Sequence, residues 1–195
     1  QVKNCLTPMP AELRALARQA LLAATITEKL AATALLENAE LTDVDANARG
    51  EDILRPGRPD LPLLVPAKDV ARRGLSTLAG RAALLHAIAH IEFNAINLAC
   101  DAVQRFSGMP EAFYRDWASV AVDEARHFGL LQDRLAELGF RYGDFNAHDG
   151  LWDMAERTRG DCGMRMALVP RLLEARGLDV TPGMMEKLKQ CGDLD

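Results

Sequence analysis

The residues best suited to chemistry lie in one short run, Asp123-Glu124-Ala125-Arg126-His127. Nowhere else in the chain does a histidine follow a glutamate by three residues. On a helix, this spacing places a carboxylate and an imidazole on the same side, about one turn apart. Both groups bind iron and manganese, and the pair matches half of a two-metal carboxylate site built between the helices of a bundle.

A second carboxylate, Glu92, is predicted to meet Glu124. Each lies at the centre of the apolar stripe of a predicted helix, and each is 16 residues from Gly108 in the turn between the two helices. With a rise of about 1.5 Å per residue, both lie about 24 Å from that turn and are therefore level. A buried carboxylate is costly unless it is paired, protonated or bound to a metal. We therefore expect Glu92, Glu124 and His127 to point into the core and to share a metal ion.

Four further residues have weaker claims to a role in this site. His86 and His90 lie about 120° and 160° from the ligand face of their helix, on the predicted polar face, which disfavours a metal role. Asp123 lies at the edge of the apolar stripe, where it either accepts a hydrogen bond from a ligand imidazole or is a solvated charge. Glu174 lies in a predicted buried helix and is either a further ligand or a surface residue.

The hydrophobic pattern predicts an all-α protein. The predicted elements are a helix over residues 10–40, a Pro-rich extended arm or linker over 41–76, helices over 77–106 and 110–139, a loop over 140–150, an interrupted helical segment over 151–176, and a helix from Thr181-Pro182 onward. The short connection at Gly108 makes the two central helices antiparallel neighbours. This order predicts two parts, an N-terminal helix with its arm (1–76) and a helical bundle (77–195).

Composition places the chain among globular proteins, with 195 residues, a net charge of −5 and a pI of about 5.4. The acidic balance disfavours nonspecific nucleic-acid binding but leaves a structured RNA substrate open. The four cysteines are scattered without a CxxC pair, as in reduced proteins of the cytosol. The sequence shows no signal peptide and no apolar run long enough to cross a membrane, so we expect a cytoplasmic protein.

With these residues identified, the chain resembles a bacterial family of ferritin-like proteins catalogued as domain of unknown function 455, from about Arg58 to Asp193. The resemblance is carried by Gly80-Arg81-Ala82, His86-Ala-Ile-Ala-His90-Ile-Glu92, Asp116-Trp117, Asp123-Glu124-Ala-Arg-His127-Phe128, Tyr142-Gly143-Asp144, Ala147-His148-Asp149-Gly150-Leu151-Trp152 and Leu173-Glu174-Ala175-Arg176-Gly177-Leu178-Asp179. The Asp-Glu-x-Arg-His core is also similar to that of ribonucleotide reductase small subunits and of bacterial multicomponent monooxygenases.

This resemblance implies a ferritin-like four-helix bundle that holds metal ions between Glu, Glu-x-x-His, Glu and Glu-x-x-His on four successive helices. It assigns Glu92, Glu124, His127 and Glu174 as metal ligands, and it makes Asp123 the hydrogen-bond partner of the ligand imidazole.

One part of the family pattern is missing. Glu186 is followed three residues later by Lys189, and no glutamate comes after it, so the second Glu-x-x-His is absent. The fourth bundle helix is therefore truncated or incomplete. Three explanations stay open: the natural chain continues, the site is incomplete, or a symmetric homodimer completes it.

Three functions are compatible with these residues. The first is an oxidoreductase that activates dioxygen at a di-iron or manganese–iron centre, served by an electron-donor reductase, with hydroxylation of transfer RNA as one version. The second is iron binding or storage without a specific organic substrate. The third is a non-catalytic helical scaffold with an incomplete metal site.

Overall fold

The structure, a computed structural model, describes residues 12–42 and 46–171, together with residues 182–183, 185–186 and 188–189. Regular secondary structure in this part is helical, and strand-like pairing is limited to two single-residue bridges, Glu12 with Glu40 and Leu64 with Ala147. The six helices are α1 (Leu13–Leu22), α2 (Ile26–Ala34), α3 (Leu78–Arg105), α4 (Glu111–Glu137), α5 (Gly150–Arg157) and α6 (Cys162–Met166). A π-helical turn, Ala167–Arg171, follows α6. The prediction of an all-α fold is confirmed.

The long helices α3 and α4 form an antiparallel pair at the centre of the fold. The Thr77 side chain caps the start of α3 by accepting a hydrogen bond from the Gly80 amide at 3.0 Å. Gly108, with φ of +68°, makes the turn between the helices, and Gly139, with φ of +79°, follows the end of α4. Both positions need the left-handed backbone that glycine adopts without strain.

The predicted single helix over residues 10–40 is wrong, because the chain breaks between α1 and α2. Thr25 and Glu28 form a capping box at the break: the Thr25 hydroxyl accepts from the Glu28 amide, and the Glu28 carboxylate accepts from the Thr25 amide, each at 3.2 Å. A Thr-x-x-Glu pattern is a recognised start signal for a helix. The sequence therefore contains a start signal for α2 at Thr25, but the apolar periodicity across the break led to the prediction of a single helix.

The Pro-rich segment that precedes α3 lies along the helices as an extended arm. The Gly57 amide donates to the Leu21 carbonyl at the end of α1 at 2.8 Å, and Gln104 of α3 exchanges hydrogen bonds with the Glu51 backbone. Further along, the Val65 amide donates to the Ala147 carbonyl at 2.8 Å. Of the two predicted alternatives, the described part of this segment is an arm that packs on the bundle.

One hydrophobic core joins the N-terminal helices to the central pair. Its large members come from both regions, and they include Leu13, Leu21, Phe93, Ile96 and Phe128. Trp152 of α5 is buried as well, and its indole N–H donates to the Leu54 carbonyl of the arm at 2.7 Å. The arm and the short C-terminal helices therefore hold α3 from several sides.

Among the described residues, α3 is also the one helix that is long and apolar enough to cross a membrane by length and composition. However, 56% of its most apolar window is buried inside the protein. It also carries buried polar side chains, among them Asn94, Asn97 and Asp101. In this structure α3 has the position of a core helix.

Asp101, fully buried near the end of α3, is the centre of an ionic network. Its carboxylate accepts hydrogen bonds from Arg105 Nε at 3.0 Å, from Arg165 Nη1 at 2.7 Å and from Gln104 Nε2 at 3.1 Å. Arg165 also donates to the Ala155 carbonyl at 2.7 Å. The network therefore fastens α5 and α6 to the end of the central helix.

Removing the Asp101 carboxylate should destabilise the fold strongly. Asp101→Ala leaves the buried Arg165 guanidinium without its counter-charge, and we expect the free energy of unfolding to fall by about 3–5 kcal/mol, measured by urea denaturation. Asp133→Ala, at an exposed position of α4, is the control and should change it by less than about 0.5 kcal/mol. A loss in Asp101→Ala as small as in the control would contradict this role.

Candidate metal centre

Glu92 of α3 and Glu124 of α4 meet as the sequence predicts. With His127, they offer one oxygen or nitrogen atom each, and these three atoms all lie within 4.8 Å of one another. The side chains of Glu92 and Glu124 are hydrogen-bonded to each other. The equal height predicted by counting residues from Gly108 is therefore confirmed. We refer to Glu92, Glu124 and His127 as the Glu–Glu–His cluster.

The cluster is only partly buried, although the sequence analysis expected it to point into the core. The Glu124 side chain is 24% exposed and the His127 side chain is 43% exposed, and Glu92 has intermediate burial. The predicted helical segment over 151–176 is described only as far as Arg171, so Glu174 lies outside the described residues. What the structure shows is the pair of helices that forms one wall of the site.

His127 is held between two neighbours on α4. Its Nδ1 lies 3.0 Å from Glu124 Oε2, and its Nε2 lies 3.2 Å from Arg126 Nη2. A guanidinium can only donate hydrogen bonds, so Nε2 is the acceptor in this arrangement. A neutral imidazole carries one proton, which is therefore on Nδ1 and is donated to the Glu124 carboxylate.

Glu92 shares a proton with Glu124. Burial and the neighbouring Glu124 carboxylate raise the pKa of Glu92 to about 8, because two carboxylates at hydrogen-bond distance resist ionising together. At neutral pH, Glu92 is therefore mostly a carboxylic acid that donates to Glu124. Glu124 accepts hydrogen bonds from both sides, from Glu92 and from His127.

The donor set fits a transition-metal ion of intermediate hardness. Two carboxylates and one imidazole are typical ligands of iron and manganese. When no ion is bound, one proton lies between the two carboxylates and His127 donates its Nδ1 proton to Glu124, which leaves one negative charge on the cluster. A divalent cation would release the carboxylate proton and bind a ring nitrogen of the neutral imidazole, since carboxylate ligands must be deprotonated to bind.

The two remaining predicted site residues differ in outcome. Asp123 is 61% exposed, and its Oδ1 lies 4.0 Å from Arg126 Nε. Both ring nitrogens of His127 have other partners, so the structure does not bring Asp123 to the imidazole. Glu174 lies outside the described residues, and its assignment as a ligand stays a prediction.

The prediction that His86 and His90 lie on a polar face is wrong about their surroundings. His86 is 1% exposed and His90 is 8% exposed. Burial lowers the pKa of both to about 4, so they are neutral at physiological pH. Their face of α3 is polar in sequence, but the arm and the loop before α5 cover it, which helix periodicity alone cannot reveal.

Tyr142 lies in the loop that covers this face of α3, and the sequence analysis did not single it out for a role. Its hydroxyl lies 2.8 Å from His90 Nδ1, and its ring stacks on His86 with centroids 5.1 Å apart. The next residue, Gly143, donates its amide to His86 Nε2 at 2.9 Å. These partners are more than 50 residues apart in the chain, so no local spacing signals the contact. These contacts with Tyr142 and Gly143 account for the burial of both histidines without a metal.

The shared proton of Glu92 makes stability depend on pH in a defined direction. Between pH 4.5 and 8 the folded protein holds a proton that the unfolded chain releases, so stability falls as pH rises through this window. Glu92→Gln keeps a donor to Glu124 without titrating. In metal-free buffer, we expect its melting temperature relative to wild type to be about 2–6 °C higher at pH 8 than at pH 4.5.

Calorimetry or circular dichroism at a series of pH values measures this difference. Glu137→Gln, at the exposed end of α4, should retain the wild-type pH dependence. Parallel curves for wild type and Glu92→Gln would show that Glu92 does not hold the proton.

Fold and site together define a helical protein with a carboxylate–imidazole cluster on its central helix pair. The chain belongs to the family described as protein of unknown function DUF455, whose family model matches residues 14–195. The match begins well before Arg58, where the resemblance noted from the motifs begins. The family pattern therefore includes α1, α2 and the arm.

Comparison with known proteins adds one relative. An uncharacterized protein of Haemophilus influenzae is 55% identical over 143 residues, which cover 70% of this chain and 50% of the relative. The chain therefore spans about half the length of this relative. No solved structure matches the chain.

Proposed function

We propose that the chain carries part of the metal centre of a ferritin-like oxidoreductase that activates dioxygen with two iron ions, or with manganese and iron. The observation that supports this most directly is the Glu–Glu–His cluster, in which carboxylates from two adjacent antiparallel helices meet next to an imidazole. The Asp-Glu-x-Arg-His run that supplies two of the three ligands is the motif shared with the di-iron proteins that this chain resembles.

The choice of metal follows from the donor atoms. Carboxylate oxygen and imidazole nitrogen suit iron and manganese, whereas structural zinc and iron–sulfur sites rely on thiolates. Neither of the described cysteines belongs to the cluster, and burial raises the pKa of Cys100 so that it stays a thiol. The proposed ions are therefore iron, with manganese as the alternative at one position.

The residues around the cluster suit redox chemistry on a small molecule. Glu92, Glu124 and His127 would hold a metal ion that supplies electrons to dioxygen, and three protein ligands leave coordination positions for other groups. Glu92 is the residue best placed to release and take back a proton as charge changes at the site. Repeated turnover needs electrons from outside, so a reductase partner belongs to the proposal.

Metal loading and oxygen consumption test this function together. Purified protein is reduced, loaded with Fe²⁺ without oxygen, desalted and analysed for iron, and then mixed with oxygenated buffer in an oxygen electrode. We expect wild type to retain iron and to consume dioxygen. Glu124→Ala should lose at least about 90% of the retained iron, because the two remaining ligands, Glu92 and His127, would hold the ion weakly.

Glu137→Ala, on the same helix but paired with Arg134 at the surface, is the matched control and should behave as wild type. Iron retained in large particles on a sizing column, with no dependence of oxygen uptake on a reductant, would favour storage. Iron contents that are equally low in wild type and Glu124→Ala would leave a helical scaffold as the better description.

A further inference from the structure

Arg126 contacts the imidazole of His127 on the side away from Glu124. Its Nη2 lies 3.2 Å from Nε2, while Nδ1 lies 3.0 Å from Glu124 Oε2. Because a guanidinium has no acceptor atom, this contact selects the neutral imidazole with its proton on Nδ1. The hydrogen bonds therefore run in one direction, from Arg126 through His127 to Glu124.

This contact cannot persist when His127 binds a cation. Coordination through Nε2 would use the lone pair that now accepts from Arg126. Coordination through Nδ1 would displace the Nδ1 proton, and a neutral ring would then carry its proton on Nε2, where it faces the guanidinium donors. Either ring nitrogen can be the ligand, and in both cases the Arg126–His127 hydrogen bond is lost.

Asp123 is in position to receive the released guanidinium. Its Oδ1 lies 4.0 Å from Arg126 Nε, at the limit of an ion pair, and both side chains are more than 60% exposed. Asp123 and Arg126 are three residues apart on α4, the spacing at which side chains of a helix meet. Arg126 therefore contacts a predicted metal ligand through Nη2 and, at the limit of an ion pair, Asp123 through Nε, so Asp123 stays within reach if the first contact is lost.

We propose that Arg126 is a built-in competitor of the metal ion, which holds His127 in the metal-free protein and moves to Asp123 when the site is loaded. The proposal rests on the proposed metal-binding function. It gives Asp123 a positioning role that acts through Arg126, in place of the direct contact with the imidazole that the sequence suggested. It also predicts that the native sequence binds its ion less tightly than the three ligands allow.

Mn²⁺ binding to four variants tests this competition, with free Mn²⁺ measured by electron paramagnetic resonance at 0.15 M salt. Arg126→Gln should bind Mn²⁺ about three- to tenfold more tightly than wild type, the range expected for one lost hydrogen bond. Arg115→Gln, an exposed arginine of the same helix paired with Glu111, removes the same charge elsewhere and should leave the affinity within about twofold.

Asp123→Asn distinguishes a movement of Arg126 from simple charge attraction. In wild type, it should weaken Mn²⁺ binding by about two- to fivefold, because the released guanidinium loses its alternative partner. In the Arg126→Gln background it should have almost no effect, since no guanidinium remains to be received. Attraction between Asp123 and the ion alone would give the same loss in both backgrounds.

The tautomer of His127 is a second readout, which needs no metal. Nitrogen NMR of the metal-free protein should show the imidazole proton on Nδ1 in wild type. In Arg126→Gln, part of the population should carry it on Nε2.

Two results would overturn the proposal while metal binding stands: an unchanged affinity in Arg126→Gln, or equal effects of Asp123→Asn in both backgrounds. Absence of Mn²⁺ binding in wild type and in Arg126→Gln alike would remove the proposed function, and this proposal with it. Binding by Arg126→Gln alone would support the competition directly.

Discussion

The constraint on which the site depends is that two carboxylates from neighbouring helices share one partly desolvated position. Glu92 and Glu124 are close enough to hydrogen-bond, and Coulomb repulsion between two charges at that distance is only partly screened. The protein has two ways to relieve it, a proton on Glu92 or a cation between the two. The raised pKa of Glu92 supports the first, and the ligand chemistry of the cluster supports the second.

Much of the remaining structure keeps α3 from moving in response to that repulsion. Lys29 of α2 is fully buried, and its ammonium group donates to Asn97 of α3 at 2.7 Å and to the Ala20 and Leu21 carbonyls at the end of α1. Seven residues further on, at the C-terminal end of α3, Arg14 of α1 donates to the Gln104 carbonyl at 2.7 Å. Buried polar contacts of this kind are costly to leave unpaired, so they fix the helix in one position and register. The rigid helix then holds Glu92 opposite Glu124.

The part of the site that follows from local geometry could be predicted from the sequence. Helical rise and the position of Gly108 were enough to place Glu92 level with Glu124, and the three-residue spacing placed His127 beside Glu124. The surroundings of His86 and His90 could not be predicted, because residues far along the chain bury them. The partner of Asp123 was missed for a different reason. The imidazole of His127 was expected to donate to the Asp123 carboxylate, whereas in the structure its Nε2 contacts Arg126 and its Nδ1 contacts Glu124.

The central claim is that Glu92, Glu124 and His127 share a metal ion, and anomalous scattering tests it most directly. Crystals grown with Fe²⁺ under anaerobic conditions, or with Mn²⁺, would be measured above and below the absorption edge of the added metal. Our account predicts an anomalous peak within about 2.5 Å of an oxygen of each glutamate and of a ring nitrogen of His127. A map with no peak among these three side chains, at metal concentrations that saturate binding in solution, would contradict it.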